Sequence, residues 1–238
     1  MSEAFIRAFH AANAGAMSKA FVRGGSYQRL AALVRGRERV LDLGCGDGAL
    51  LECIGRYAIG IDVSLDELRL SKSTVAQARA QQLPLADASI DACTCHLALM
   101  LFDQLDRVVA ELTRVIAPGG EFLAMLGGGP VADDRERDAF HEFVTMLEPR
   151  QRLGDPRARS EPGWRALFDE AQWIVSPFER WELELGGSFD DAWEFLATSY
   201  ELDCDRARSI RDELHARVGD HARCRVAMFL ARAQRRRA

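Results

Sequence analysis

Residues 40–48, with the sequence Val-Leu-Asp-Leu-Gly-Cys-Gly-Asp-Gly, constrain the fold of this chain more than any other stretch. An apolar run that contains one acid, Asp42, leads directly into three glycines separated by one residue each. We expect a buried strand, a tight turn and a helix start, because glycine allows positive φ angles and lets a ligand approach the backbone. The segment therefore predicts a site for a nucleotide-like molecule.

A second apolar strand follows, and it ends in Asp62, twenty residues after Asp42. An acid at this position can accept hydrogen bonds from both hydroxyl groups of a ribose. Ser64 and Glu67 have the spacing of a capping box, in which each side chain binds the other residue's amide. Further strands are predicted at residues 75–79, 90–95 and 121–126. Five alternations of strand and helix indicate a doubly wound α/β fold.

Helical segments are predicted on both sides of this core, which spans residues 39–126. Residues 1–36 form a helical cap broken at Gly24 and Gly25, and residues 130–160 and 188–218 form further cap insertions over the ligand cleft. The glycines at 127–129 are expected to leave regular structure. Residues 178–185 and 223–231 read as strands, the last of them antiparallel, and the arginines at 232 and 235–237 as a solvated tail. We expect a single domain over residues 1–238.

Composition limits the possible partners. A net charge of −5 and a pI near 5.6 disfavour nucleic acid, whose phosphates are bound mainly through Lys and Arg. The six cysteines show neither a disulfide framework nor a metal-ligand spacing, so we expect reduced thiols and no metal. No export signal or membrane-length apolar run is found. The expectation is a cytoplasmic monomer or homodimer that acts on a small molecule, without membrane partners.

The spacing of the glycines bears on the type of ligand. The dinucleotide fingerprint has its third glycine where this chain has Ala49, and it holds a pyrophosphate at the helix start. Asp42 would repel a pyrophosphate but would suit a ligand that carries an ammonium group. Nicotinamide-dependent oxidoreduction is therefore disfavoured.

At these residues the chain resembles the class I S-adenosylmethionine-dependent methyltransferases, over about a third of its length. The matching segments are Val40-Leu-Asp-Leu-Gly-Cys-Gly-Asp-Gly48, Gly60-Ile-Asp62-Val-Ser, Leu83-Pro-Leu-Ala-Asp-Ala-Ser-Ile-Asp91 and Val115-Ile-Ala-Pro-Gly-Gly120, in family order. The resemblance implies S-adenosylmethionine as cofactor and a Rossmann-like, mostly parallel seven-stranded sheet with an antiparallel last strand. Within the superfamily, the chain looks similar to the small-molecule enzymes of quinone biosynthesis and natural-product pathways.

The resemblance also implies site residues. The glycine loop would hold the methionine part of the cofactor, Asp62 the ribose, and Val63 the adenine. This chain has Arg79-Ala-Gln81 where the family often has Asp-Ala-Glu, so the Ala80 and Gln81 backbone or the Gln81 amide is expected to replace the acid. The expected cofactor-binding residues are Asp42, Gly44, Cys45, Gly46, Gly48, Asp62, Val63, Ala80, Gln81, His96 and Arg23.

Methyl transfer from a sulfonium mainly requires the acceptor atom to be held in line while water is excluded. If an O- or N-acceptor must lose a proton, the candidate bases are His96, His141 and His10, in that order. His141 and Arg150 are also candidates to hold the substrate, and a C-acceptor such as an enolate would need positioning alone. An RNA or tRNA methyltransferase and a non-catalytic cofactor-binding protein remain as alternatives.

Overall fold

The computed structural model describes residues 14–15, 17–131, 138–147, 154–200 and 204–237. Its strands, in chain order, are β1 (Val40–Leu43), β2 (Ala58–Asp62), β3 (Val75–Gln77), β4 (Ile90–His96), β5 (Ile116–Pro130), β6 (Trp173–Val175), β7 (Glu179–Glu184) and β8 (Arg225–Arg235). The helices are α1 (Ser18–Arg23), α2 (Ser26–Leu33), α3 (Ala49–Ile54), α4 (Leu65–Leu68), α5 (Leu105–Val115), α6 (Ala139–Thr145), α7 (Glu161–Leu167), α8 (Phe189–Tyr200) and α9 (Cys204–Val218). Residues Leu99–Leu101 and Pro156–Arg159 form 3₁₀ helices.

All of these strands belong to one sheet, in the order β3-β2-β1-β4-β5-β8-β6, with β7 also beside β8. Strands β1 to β5 pair in parallel, and β8 runs antiparallel to β5. The Rossmann-like architecture with an antiparallel last strand is thereby confirmed. The sheet has eight strands instead of the seven expected, because β6 and β7 occupy the same edge and pair with different parts of β8.

Each face of the sheet has its own hydrophobic core. Alternating side chains of β5 point into one core or the other. Phe122 and Ala124 lie in the core that includes residues of α5 and α7. Leu123 and Met125 lie in the core that includes residues of α1, α2, α3, α6, α8 and α9. Since successive side chains of a strand point to opposite faces, the apolar run of β5 supplies both cores.

The glycines around β5 lie within the strand, contrary to expectation. Residues 117–120 fall between the pairs Ile90–Ile116 and Ala92–Glu121, where the register shifts, so they form a bulge and not a separate loop. At the other end, pairing continues to Pro130 with a second shift between Gly127 and Gly129. The prediction that residues 127–129 leave regular structure was therefore wrong. Glycine suits bulged positions in a strand because it adds no side chain to an irregular backbone.

The predicted solvated arginine tail is wrong for Arg232 and Arg235, which belong to β8, whereas Arg236 and Arg237 are exposed as expected. Strand β8 continues to Arg235, whose guanidinium donates to the carbonyl oxygens of Thr113 and Ile116, the latter at 2.9 Å. The Nε of Arg236 donates to the Glu170 carbonyl oxygen at 2.8 Å. These arginines cover the end of α5 and the segment before β6, a strand that the sequence pattern did not predict.

One buried acid, Asp138, connects the inserted helix α6 to β8. One carboxylate oxygen accepts from the amides of Phe140 and His141 at 3.0 and 3.3 Å, which caps the helix. The other accepts from the Arg225 amide at 2.9 Å and from its Nε at 3.1 Å. Since both side chains of this ion pair are largely buried, removal of the acid leaves the Arg225 charge without its carboxylate.

Substitution of Asp138 by Ala should therefore lower the free energy of unfolding by about 3–5 kcal/mol. The matched control is Asp190→Ala, which removes an exposed partner of Arg211 and should cost below about 1 kcal/mol. Urea denaturation of the two variants measures the difference. Equal losses would contradict the role assigned to the buried pair.

Candidate functional site

The glycine turn lies at the carboxyl end of β1, as expected. Gly44 has φ +73°, and a Cβ placed there would lie 2.3 Å from the Cβ of Ala98. Gly46 has φ +53°, but an added Cβ would meet only the Glu67 carboxylate, at 3.9 Å. Packing within the protein therefore requires glycine at 44, whereas at 46 glycine leaves open space for a ligand.

Asp62 connects this turn to the start of α4. Its carboxylate accepts from the Gly46 amide at 2.9 Å and from the Ser64 amide at 2.7 Å. The capping box is thus only half formed. The Ser64 hydroxyl accepts from the Glu67 amide at 3.4 Å, but the return bond is absent because Asp62 holds the Ser64 amide. The Glu67 carboxylate instead accepts from the Gly15 amide at 3.1 Å.

An open pocket lies beside Asp62, at the edge where β1 and β2 end. Its walls are mostly apolar and come from Ile61, Val63, Ala78, Leu101 and Phe102. Ligands of parallel α/β sheets bind at this edge, outside the carboxyl ends of the strands. A flat apolar ring between these walls, with a polar group beside Asp62, matches the shape and chemistry of the pocket.

A second polar group lines the pocket and was missed by the sequence reasoning. The Gln81 side-chain amide donates to the carbonyl oxygen of Asp103 at 2.9 Å and also to its carboxylate. The Arg79 guanidinium lies 3.8 Å from the same carboxylate. Asp103 thus brings an acid to the place where Arg79-Ala-Gln81 lacks one. No signal in the sequence indicates this contact, since 22 residues separate Gln81 from Asp103.

Four carboxylates surround the glycine turn: Asp42, Asp47, Asp62 and Glu67. Asp42 is fully buried, and its carboxylate accepts from the Thr94 hydroxyl at 2.9 Å. Burial raises the pKa of Asp42 to about 7, with a smaller contribution from the charge of Asp62 and against the effect of the Thr94 hydrogen bond. Asp47 accepts from the Ser18 hydroxyl at 2.5 Å. This end of the site is suited to a cation.

His96 ends β4 and lies beside the N-terminal helices. Its Nε2 is 3.0 Å from the Ser26 hydroxyl, and its ring contacts those of Phe21 and Tyr27 at centroid distances of 4.9 and 4.6 Å. Burial lowers the pKa of His96 to about 3. The imidazole is therefore neutral at physiological pH and serves as a hydrogen-bonding group in an aromatic environment.

Several predicted site residues lie elsewhere. Arg23 is exposed and pairs with Asp191 and Glu194 of α8 at 3.1 and 3.9 Å. The Cys45 side chain is buried against Gly60, where an added Cβ would lie 2.6 Å from its sulfur. His141 is exposed on α6. His10 and Arg150 lie outside the described residues. The predicted residues that line the pocket together are Gly44, Asp62, Val63, Ala80 and Gln81.

Two further observations concern other kinds of ligand. In the described ranges, no group of three or more His, Cys, Asp or Glu side chains is placed to hold a metal ion. Within the same part of the chain, no helix has the length and apolar character needed to cross a membrane.

Comparison with known proteins places this site in a wider context. Residues 41–124 match the family model described as a methyltransferase domain. The chain is 28% identical over 198 residues to the uncharacterized methyltransferase YcgJ of Bacillus subtilis (strain 168), covering 73% of this chain and 75% of YcgJ. It is 33% identical over 144 residues to the malonyl-[acyl-carrier protein] O-methyltransferase of Pectobacterium atrosepticum, covering 51% of this chain and 57% of that relative.

Solved structures show the same fold. The crystal structure of YcgJ superposes with a TM-score of 0.59 at 21% sequence identity, covering 90% of this chain and 98% of YcgJ. At that sequence identity the superposition shows only that the two proteins share a fold. In this chain, the glycine turn and the pocket lie at the same edge of the parallel sheet.

The raised pKa of Asp42 predicts a pH-dependent stability. The folded protein keeps this proton up to about pH 7, whereas the unfolded chain loses it near its ordinary value. Stability of the wild type is therefore lost as pH rises between those values, and Asp42→Asn, which does not titrate, avoids the loss. Relative to wild type, this variant should gain up to about 4 kcal/mol between pH 4 and pH 7.

Urea denaturation at several pH values measures this difference. The control is Asp66→Asn, which removes a half-exposed acid that pairs with Arg69. A constant difference between Asp42→Asn and wild type across this range would show that Asp42 ionises normally in the folded protein.

Proposed function

Because this chain belongs to the class I S-adenosylmethionine-dependent methyltransferases, we propose that it transfers the methyl group of S-adenosylmethionine to a small-molecule acceptor. The observation that carries the proposal is the combination of the acidic glycine turn with the adjacent apolar pocket. One end suits a cation and the other a flat ring, and Asp62 lies between them. The matched relative from Pectobacterium is named for O-methylation of malonyl-[acyl-carrier protein], which favours a small acyl group as one class of acceptor.

The residues present fit the parts of this cofactor. The open space above Gly46 would receive the methionine part, and the carboxylates of Asp42, Asp47 and Glu67 would favour its ammonium group. Asp62 would accept from the ribose hydroxyls, since each carboxylate oxygen can accept more than one hydrogen bond. When bound, S-adenosylmethionine supplies an activated methyl group on a positively charged sulfur.

The adenine would lie between the apolar walls beside Val63. Ala80 and Gln81 line the pocket, and Asp103 supplies a carboxylate that could accept from the exocyclic amino group. Gln81 would then position Asp103 through its amide, so its role differs from a direct replacement of the family acid. A ligand with an oxygen in place of that amino group would bind less well, because that oxygen and the carboxylate are both hydrogen-bond acceptors and would repel each other.

The acceptor would bind next to the methionine end, near His96. A pKa of about 3 makes His96 a weak base, so an acceptor that is itself acidic, or that loses no proton, suits this site best. His96 stays the first candidate base, ahead of His141 and His10. Its neutral ring can orient an acceptor by a hydrogen bond, and the aromatic side chains around it exclude water. The helices over this region would form the cap of a single domain.

Isothermal titration with S-adenosylmethionine and with its demethylated product tests the proposal. The wild type should bind both, and labelled cofactor should transfer its methyl group to a member of a small-molecule panel that includes malonyl thioesters. Failure to bind either ligand would refute the proposal. Binding without transfer to any acceptor would favour a non-catalytic cofactor-binding protein.

Gly46→Ala supplies a structural test of the cofactor position. The added methyl group would occupy the open space above the turn and should weaken binding of S-adenosylhomocysteine by roughly tenfold or more. The control is Gly25→Ala, which has a similar positive φ of +71° and no atom within 4 Å of the added Cβ. Both variants place alanine at a positive φ angle, so any loss of affinity caused by backbone strain should be similar in the two. Only Gly46→Ala should show a further loss of affinity for S-adenosylhomocysteine. Equal affinities would place the ligand elsewhere.

Asp103→Asn tests the adenine contact. Wild-type protein should prefer S-adenosylhomocysteine over S-inosylhomocysteine, which has an oxygen in place of the amino group. The variant can donate to that oxygen, so its preference should fall by roughly tenfold or more. Asp66→Asn, which changes a similarly exposed acid on α4, should keep the wild-type preference. An unchanged preference in Asp103→Asn would remove Asp103 from the adenine site.

A further inference from the structure

Tyr27 has a buried ring and a hydroxyl group that is available to a ligand. Tyr27 belongs to α2, and its side chain is 8% exposed. Among the described residues, no hydrogen bond is formed by this hydroxyl. The Tyr27 oxygen is not among the fully buried side-chain atoms without a partner, so it reaches solvent although its ring is buried. A phenol hydroxyl held in this way is available to donate to a ligand.

The Tyr27 ring lies beside the carboxyl end of β4, at the edge of the sheet where the glycine turn also lies. One side of the ring contacts His96 at the end of β4, with the centroids 4.6 Å apart, and an edge contact joins it to Phe21 at 6.3 Å. Burial raises the pKa of Tyr27, and the nearby carboxylates of Asp47, Asp42 and Glu67 raise it further. The phenol stays protonated, so it acts as a donor and not as a base.

Most donors of the turn are already used within the chain. The Gly44 and Cys45 amides donate to the Ile61 carbonyl oxygen at 2.7 and 3.2 Å. The Gly46 amide donates to Asp62. The Gly48 amide donates to the Cys45 carbonyl oxygen at 3.0 Å. A negatively charged ligand group here would meet several carboxylates and few free amides, so an additional O–H donor has a large effect.

The methionine part of the proposed cofactor carries such a group, because it has a carboxylate next to its ammonium. The acids around the turn favour the ammonium and repel the carboxylate. We propose that the Tyr27 hydroxyl donates a hydrogen bond to this carboxylate and so fixes which way the amino acid end of the cofactor lies. The inference rests on the proposed function and extends it to a residue of the N-terminal helices.

The test compares two ligands that differ only in this group, S-adenosylmethionine and decarboxylated S-adenosylmethionine, by isothermal titration. Tyr27→Phe keeps the ring and its contacts with His96 and Phe21 but removes the hydroxyl. The variant should bind S-adenosylmethionine roughly tenfold or more weakly than wild type, the size expected for a hydrogen bond to a charged group. Its affinity for the decarboxylated ligand should stay within about twofold of wild type.

Tyr57→Phe is the matched control, because Tyr57 is exposed and its hydroxyl accepts from Arg56 at 2.8 Å on the surface. It should bind both ligands as wild type does. Unchanged binding of S-adenosylmethionine by Tyr27→Phe would overturn the inference, and so would an equal loss for both ligands, which would place the hydroxyl against another part of the cofactor. If wild-type protein bound neither ligand, the proposed function itself would fail.

Discussion

The bond from the Gly46 amide to the Asp62 carboxylate is the interaction on which the site depends. Through its second oxygen, Asp62 also holds the Ser64 amide, so one side chain joins the turn after β1 to the helix start after β2. These two segments form neighbouring parts of the pocket wall. Because Asp62 is half-buried and still has free acceptor capacity, it can organise the protein and receive ligand hydroxyl groups at once.

Burial gives the acids around the turn different properties. Asp42 lies beneath the turn with Thr94, where the loss of hydration makes its ionised form costly. A cation placed above the turn would reduce that cost, because it favours the charged carboxylate. The protein therefore keeps the Asp42 carboxyl protonated up to about pH 7, and a positively charged ligand would favour its ionised form. This arrangement links the stability of the empty fold to the chemistry of its proposed cofactor.

The sequence allowed the order of strands and helices, the glycine turn and Asp62 to be predicted because each has a local signal. Alternating apolar runs indicate strands, and an acid at a strand end is visible along the chain. Asp103 has no such signal, because its relation to the site is created by packing between segments distant in sequence. Arg232 and Arg235 were misjudged because their charge suggested solvent exposure, although Ala231 and Ala233, on either side of Arg232, alternate toward the core.

Hydrogen bonds from Gly15 and Ser18 occupy Glu67 and Asp47, two of the acids around the turn. Any ligand that changes the strength of these bonds changes the free energy that holds this segment against the turn. By thermodynamic reciprocity, the segment changes the ligand's affinity by the same factor. Gly15 and Ser18 are thus energetically linked to the proposed cofactor site, and a substitution that breaks either hydrogen bond would change ligand affinity without any change in the sheet.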